Sequence, residues 1–131
     1  MKHGYEVFHQ DVRVPAKFYV TVLGFTLSEE PCPADAEDTT VHRGELRVGC
    51  SRDPQADTRS RKPPVGSEIV LQMDDVHAEY ERAQSAGWPI EDALQDRPWG
   101  MTDFRIFDPT GQYIRITSPS TTQPSASQAS N

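Results

Sequence analysis

This sequence of 131 residues is short of cysteine, of positive charge and of long apolar runs. Its two cysteines, Cys32 and Cys50, accompany an N-terminus without the apolar segment of a secretory signal, so we interpret both as ordinary thiols rather than a disulfide framework. No apolar run approaches the roughly 20 residues that a membrane-spanning helix needs. We therefore expect a cytoplasmic protein with no membrane segment.

The shortage of positive charge bears on the partners of the protein. The chain has 20 Asp and Glu against 13 Lys and Arg, and its formal net charge is −7. A surface of this sign repels phosphate backbones, which argues against nucleic acid as a partner. A small molecule or a second protein chain is compatible with the same composition.

Composition divides the chain into two halves and a tail. A stretch rich in Pro, Asp and Arg, residues 52–66, predicts a surface linker between module one, residues 1–51, and module two, residues 67–118. Residues 119–131 are polar, contain Pro and have no large apolar side chain, which predicts a disordered tail. The length of residues 1–118 fits a single domain with a real core.

The two halves repeat one layout. Each has a strand, an Asp-Val step, a one-sided helix and a Gly followed by an aromatic residue, at Asp11 to Gly24 and at Asp75 to Gly87. Three strand-like runs follow in each half, at residues 25–30, 38–43 and 45–50 and at residues 89–94, 102–107 and 112–117. We therefore predict an α+β fold of paired β-α-β-β-β modules.

The most patterned stretch is WGMTDFRIFDPTGQYIRI, residues 99–116. Its DPTG segment has the residues of a type I turn, so it predicts a hairpin of two strands. One face of that hairpin is apolar and should lie under a helix: Phe104, Ile106, Ile114 and Ile116. The opposite face is too polar for a core and should meet something else: Asp103, Arg105, Phe107, Tyr113 and Arg115.

Three segments resemble the vicinal oxygen chelate superfamily, which includes glyoxalases, extradiol dioxygenases and fosfomycin- and bleomycin-resistance proteins. They are FYVTVLGF at 18–25, LQMDDVHAEYERAQSAGW at 71–88 and DRPWGMTDFRIFDPTGQYIRI at 96–116. The resemblance covers about residues 4–118. It implies paired modules whose polar strand faces curl into a cupped cavity, often completed across a homodimer.

The resemblance also indicates where a metal ion would be held. Metal-dependent members have a His or Gln on the first strand, a Glu on the fourth, a His or Gln on the fifth and a Glu on the eighth. The corresponding positions here hold Gly4, Arg47 or Gly49, Glu68 and Arg115. One possible ligand and a guanidinium do not suit a divalent cation, so we predict no metal and no other cofactor.

Within the superfamily, the chain is most similar to the metal-free bleomycin-resistance group, which sequesters an antibiotic in an aromatic groove. This resemblance implies a metal-independent protein that binds an antibiotic or a similar natural product, with self-resistance by sequestration as its role. Trp99 offers a flat surface for stacking, and the arginines suit acidic, phenolic or carbonyl groups. The predicted ligand-binding residues are Phe8, Arg47, Glu68, Gln72, Trp99, Arg105, Phe107, Tyr113 and Arg115.

Other functions stay open at this point. The alternative is a glyoxalase-like lyase or isomerase in the same cavity, with Glu68 as acid or base and Arg115 holding an oxyanion. A third possibility is a structural or regulatory protein with an empty cup. In the binding protein, no residue is catalytic. The identity of the ligand is open, as is whether the two modules pair within one chain or are exchanged in a homodimer.

Overall fold

A computed structural model describes residues 2–119, so nearly all of the tail predicted at 119–131 lies outside the described residues. The fold is α+β, with the predicted β-α-β-β-β order in each half. The elements are β1 (His3–His9), α1 (Arg13–Thr21), β2 (Thr26–Leu27), β3 (Asp38–Arg43), β4 (Leu46–Arg52), β5 (Ile69–Gln72), α2 (Val76–Ser85), β6 (Asp92–Asp96), β7 (Thr102–Phe107) and β8 (Tyr113–Thr117). Neither helix within residues 2–119 has the length and apolar character to cross a membrane.

Each half forms one mixed sheet of four strands. The strand orders are β1-β4-β3-β2 and β5-β8-β7-β6, so the repeat in the sequence is also a repeat in topology. The first and last strands of each half pair in parallel, β1 with β4 and β5 with β8. The remaining neighbours pair antiparallel.

Two strands are shorter than the sequence predicts. β2 has two residues instead of six, although Ser28 continues the pairing with a hydrogen bond to the Thr40 carbonyl of 2.9 Å. Pro31 and Pro33 follow shortly afterwards, and proline has no N–H to donate to a neighbouring strand. β6 begins at Asp92 rather than at Pro89, and its register with β7 shifts between Asp92 and Gln95.

The core lies between the sheets and the helices. The four apolar hairpin residues predicted to lie under a helix are fully buried, which confirms that prediction: Phe104, Ile106, Ile114 and Ile116. Tyr80 of α2 packs edge-on against Phe104, with ring centroids 4.9 Å apart. The alternation of apolar and polar residues therefore sets which face of the second sheet is internal.

Contacts that α2 and the residue Trp88 make with the first half join the two halves within this chain. Phe18 of α1 packs against Trp88, which follows α2, with ring centroids 4.6 Å apart. Arg43 of β3 donates two hydrogen bonds to the Glu79 carboxylate of α2, at 2.9 and 2.7 Å. Apolar and ionic contacts thus join the halves into one core.

The DPTG hairpin turn is also part of the contact between the halves. The predicted hairpin is confirmed, and its turn is closed by a hydrogen bond from the Gly111 N–H to the Asp108 carbonyl at 3.0 Å. The Asp108 carboxylate accepts hydrogen bonds from the backbone of Thr110 and Gln112. It also accepts one from the Tyr19 hydroxyl of α1, at 2.7 Å. A turn in the second half is therefore anchored by a helix of the first.

Candidate functional site

Each sheet has an inner face that contributes to the core and an outer face that does not. We call the outer face of the sheet in the first half the first outer face. Its residues include Glu6 and Phe8 of β1 and Arg47 of β4, and all three are exposed. The Glu6 carboxylate lies over Gly49, where an added Cβ would collide with it. A glycine at this position therefore gives the carboxylate room on the sheet.

The second outer face, that of the sheet in the second half, carries a row of charged side chains. Arg97 contacts Asp92 at 2.8 Å and Asp103 at 2.7 Å. The Arg115 Nε lies 2.9 Å from Glu68 Oε1, and its Nη1 lies 4.0 Å from Asp103 Oδ2. Burial disfavours the charge on Arg97, but its hydrogen bonds to the two aspartates outweigh this and raise the pKa of its guanidinium. The row is a continuous ionic network across the sheet.

Asp103 is the most buried member of this network, and it was expected on an open face. The structure buries its side chain completely, because the Arg97 side chain covers it from the turn before β7. A carboxylate in such a place needs a cationic partner, and Arg97 supplies it. Arg97 was not among the residues predicted from the sequence, although the segment DRPWG places it in the turn that leads into that strand.

The aromatic residues of this face are also more buried than the sequence suggests. Phe107 and Tyr113 are each only 7% exposed, and their ring centroids lie 5.1 Å apart. The linker covers this end of the sheet, with the Arg61 guanidinium 5.9 Å from the centre of the Phe107 ring. The Ser60 carbonyl lies against Gly111, where an added Cβ would come within 2.5 Å of it. Ser60 and Arg61 of the linker therefore border this end of the face.

Unsatisfied hydrogen-bonding atoms are concentrated on the second outer face. Within residues 2–119, the buried side-chain atoms without a hydrogen-bond partner are Asp103 Oδ2, Arg105 Nε and Arg115 Nε. Arg115 Nε is close to Glu68, but the angle is unsuitable for a hydrogen bond. These three atoms mark the part of the face where the side chains of the protein leave hydrogen-bonding capacity unused.

The remaining predicted ligand residues lie at the margins. Trp99 is 48% exposed and belongs to the turn in which the Gly100 N–H donates to the Arg97 carbonyl. Gln72 is exposed on β5, opposite Thr117 of β8. The structure thus places six predicted residues on the second outer face, Glu68, Gln72, Arg105, Phe107, Tyr113 and Arg115. It leaves Phe8 and Arg47 on the other sheet.

Two clefts border these faces. One of about 420 Å³ is lined by Phe8, Asp57 and Gly111, so it brings together β1, the linker and the hairpin turn. Another of about 600 Å³ is lined by Val70 and Gln72 together with residues of the first half. Both clefts are open to solvent and are formed by residues of the two halves.

The side chains present do not fit a divalent cation. Gly4 has no ligand atom and is paired in register with Arg47, and Glu68 is paired with the Arg115 guanidinium. In the part of the chain that the structure describes, no three His, Cys, Asp or Glu side chains come together as a potential metal site. Guanidinium groups carry no ligand atom for a metal and repel it.

A comparison with known protein families gives the same fold as the paired modules described above. A family model described as glyoxalase/bleomycin resistance protein/dioxygenase superfamily matches residues 3–116. The chain belongs to this superfamily. Its two mixed sheets and two helices are the paired-module fold that the sequence segments predicted for a member of this superfamily.

Several solved structures have a similar fold. The chain is similar to TioX from Micromonospora sp. ML1, at 22% identity and a TM-score of 0.72, over 90% of this chain and 98% of that one. It is also similar to the bleomycin-binding protein of bleomycin-producing Streptomyces verticillus, in complex with copper(II)-bleomycin, at 19% identity and a TM-score of 0.65, over 92% and 97% of the two chains. It is similar as well to lactoylglutathione lyase from Agrobacterium tumefaciens, at 20% identity and a TM-score of 0.64, over 90% of this chain and 92% of that one. No curated protein matches the sequence significantly.

Proposed function

We propose that this superfamily member is a metal-independent protein that binds a small molecule at its second outer face. The observation that carries the proposal is the ion pair between Arg115 and Glu68, at 2.9 Å. It stands where metal-dependent relatives would have two of their ligands, and it replaces a cation site with a polar surface. The unsatisfied atoms of Asp103 and Arg105 on the same face support a role in binding.

The class of ligand proposed is an antibiotic or a similar natural product, bound without chemical change. The similarity in fold to a bleomycin-binding protein supports this choice. Trp99 supplies an exposed aromatic surface beside the ionic network, suited to stacking on a planar ring. Sequestration of such a compound, in the cytoplasm of a cell that produces or meets it, is the biological role that we propose.

We further propose that the protein is a homodimer. Large apolar side chains are exposed on or beside both outer faces, namely Phe8, Val70 and Trp99. A second chain laid against these faces would cover them and enclose the ligand. The linker at 52–66 has no helix or strand from residue 53 onward and is long enough to allow an exchange of halves. Light scattering at micromolar concentration should give twice the monomer mass, and a monomer would contradict the dimer.

The binding function is tested with a panel of antibiotics and the full chain. Quenching of tryptophan fluorescence reports binding, and mass spectrometry reports whether each compound is recovered unchanged. We expect at least one planar natural product to bind and to be recovered intact. If no compound of the panel binds to the wild type or to Trp99→Ala, the proposal is contradicted.

A lyase or isomerase is the second candidate, and the similarity in fold to lactoylglutathione lyase favours it. In that case Glu68 would transfer the proton, although Arg115 engages one of its oxygens. Conversion of a panel compound by the wild type, lost in Glu68→Gln with binding retained, would support the enzyme. Recovery of every bound compound unchanged would support the binding protein.

A further inference from the structure

Arg105 differs from the other charged residues of the second outer face in having no partner. Within residues 2–119 it makes no salt bridge and no hydrogen bond through its side chain, and its Nε is buried. A guanidinium has five N–H donors, and none of those of Arg105 has an acceptor among residues 2–119. The residues beside Arg105 on the neighbouring strands explain why its side chain has no partner.

The sheet register places two charged residues directly beside Arg105. On one side its partner is Asp92 of β6, and on the other side it is Arg115 of β8. Asp92 is turned away to Arg97, at 2.8 Å, and Arg115 is paired with Glu68. The only carboxylate opposite Arg105 is therefore occupied by another cation, and the other neighbour carries the same charge as Arg105.

The net charge of the second outer face indicates what kind of contact Arg105 offers to a ligand. The ionic network contains three carboxylates and two guanidiniums, which gives a net charge of −1, and Arg105 brings it to zero. A strong long-range attraction for anions is thus not expected from this face. What Arg105 offers is a set of directed donors, in the planar arrangement that matches a carboxylate.

We propose that Arg105 binds a carboxylate, or an equivalent anionic oxygen group, of the ligand of this protein. The inference rests on the proposed binding function and names the chemical class of its ligand. Beside Arg105 lie the guanidinium of Arg115 and, over Phe107, that of Arg61, so a cationic group here would meet like charges. The aromatic pair of Phe107 and Tyr113 adjoins Arg105 on the same face but is almost fully buried, so it supports the strands that present Arg105 and does not offer a surface for stacking.

The test uses three probes that share one ring system, namely 1-naphthoate, neutral 1-naphthamide and cationic 1-naphthylmethylammonium. Each is titrated into the full chain by calorimetry, and the arginine Nε–H signals are followed by NMR. We expect 1-naphthoate to bind about tenfold more tightly than 1-naphthamide, as for one charge-assisted hydrogen bond. The Nε–H signal of Arg105 should shift with 1-naphthoate and not with the cation.

Two variants separate Arg105 from a general charge effect. Arg105→Gln should lose the preference for 1-naphthoate. Arg59→Gln removes the same charge from an exposed linker position, paired with Asp57 at 3.8 Å, and should keep the preference. Arg105→Lys retains the charge without the planar donors and should lose most of the preference. If Arg105→Gln does not fold, Arg105→Lys and the Nε–H signal of the wild type carry the test.

Equal binding of the three probes by the wild type, or a preference that survives in Arg105→Gln, would overturn this inference. So would an Arg105 signal that does not respond to 1-naphthoate at millimolar concentration. The binding function itself would fail differently. In that case no compound of the antibiotic panel would bind, even if the effect of Arg105 on 1-naphthoate were found.

Discussion

The Arg115 guanidinium lies 2.9 Å from the carboxylate of Glu68, across two parallel strands. The register partner of Arg115 is Val70, so Glu68 is its diagonal neighbour on the same face, just before β5 begins. Both residues are predicted from the sequence to belong to one site, and the structure brings them into contact. Because Glu68 lies just before β5 and Arg115 lies in β8, the ion pair depends on the pairing of these two strands.

The first prediction follows from this pair and concerns metal content. The resemblance to the superfamily assigns Gly4 and Arg115 to two positions where metal-dependent members have ligands, so we expect the purified protein to hold no stoichiometric transition metal. Elemental analysis after mild dialysis should give far less than one metal atom per chain. A protein first incubated with zinc and then dialysed is the control. Near one zinc, iron, nickel or manganese per chain would contradict the prediction.

The two tryptophans should differ in what they contribute. Replacing the exposed Trp99 with Ala should weaken ligand binding several-fold, corresponding to about 1 kcal/mol of stacking, and change the unfolding free energy by less than about 0.5 kcal/mol. Trp88 packs on Phe18 and donates to the Phe107 carbonyl at 2.8 Å. Trp88→Ala should cost about 3 kcal/mol of stability. Urea denaturation and ligand titration measure the two effects, and equal losses of stability would contradict this assignment.

Glu79 should be a main determinant of the contact between the halves. Its carboxylate is buried and contacts Arg43 at 2.7 Å and Arg82 at 2.5 Å. Replacing it with Ala leaves two guanidiniums without their partner, and because both are partly exposed we expect a loss of about 2 kcal/mol in unfolding free energy. Glu81→Ala, on the exposed side of the same helix, should have little effect. Equal stability of the two variants in urea would show that the contact is unimportant.

The unfolding free energy should fall in alkaline solution because two weakly acidic side chains, the Cys50 thiol and the Tyr5 phenol, are buried or partly buried. Burial raises the pKa of the Cys50 thiol from 9.0 to about 12, and burial also raises the pKa of Tyr5. Above pH 9.0 the unfolded chain loses the thiol proton and the folded chain keeps it, so the unfolding free energy falls until about pH 12. Cys50→Ala should flatten this fall, and Cys32→Ala should not. Identical pH profiles of the two variants would contradict the assignment.

The sequence alone determined the element order, the hairpin and the inner face of the second sheet. These features depend on neighbours in the chain, because the turn chemistry of DPTG and the alternation of Phe104 and Ile106 are local. The superfamily segments were visible for the same reason. Strand lengths were predicted less well, since they depend on where pairing with another strand stops.

The tertiary structure alone decided which charges of the site are paired. Arg43 and Glu79 are 36 residues apart, and Arg97 could have served any of several aspartates. That Arg97 takes both Asp92 and Asp103 follows from the pairing of β6 with β7 and from the turn between them. Arg105 is left without a partner because a side chain on a sheet can be neutralised only by its neighbours across the strands, and the sequence does not show which neighbours are already engaged.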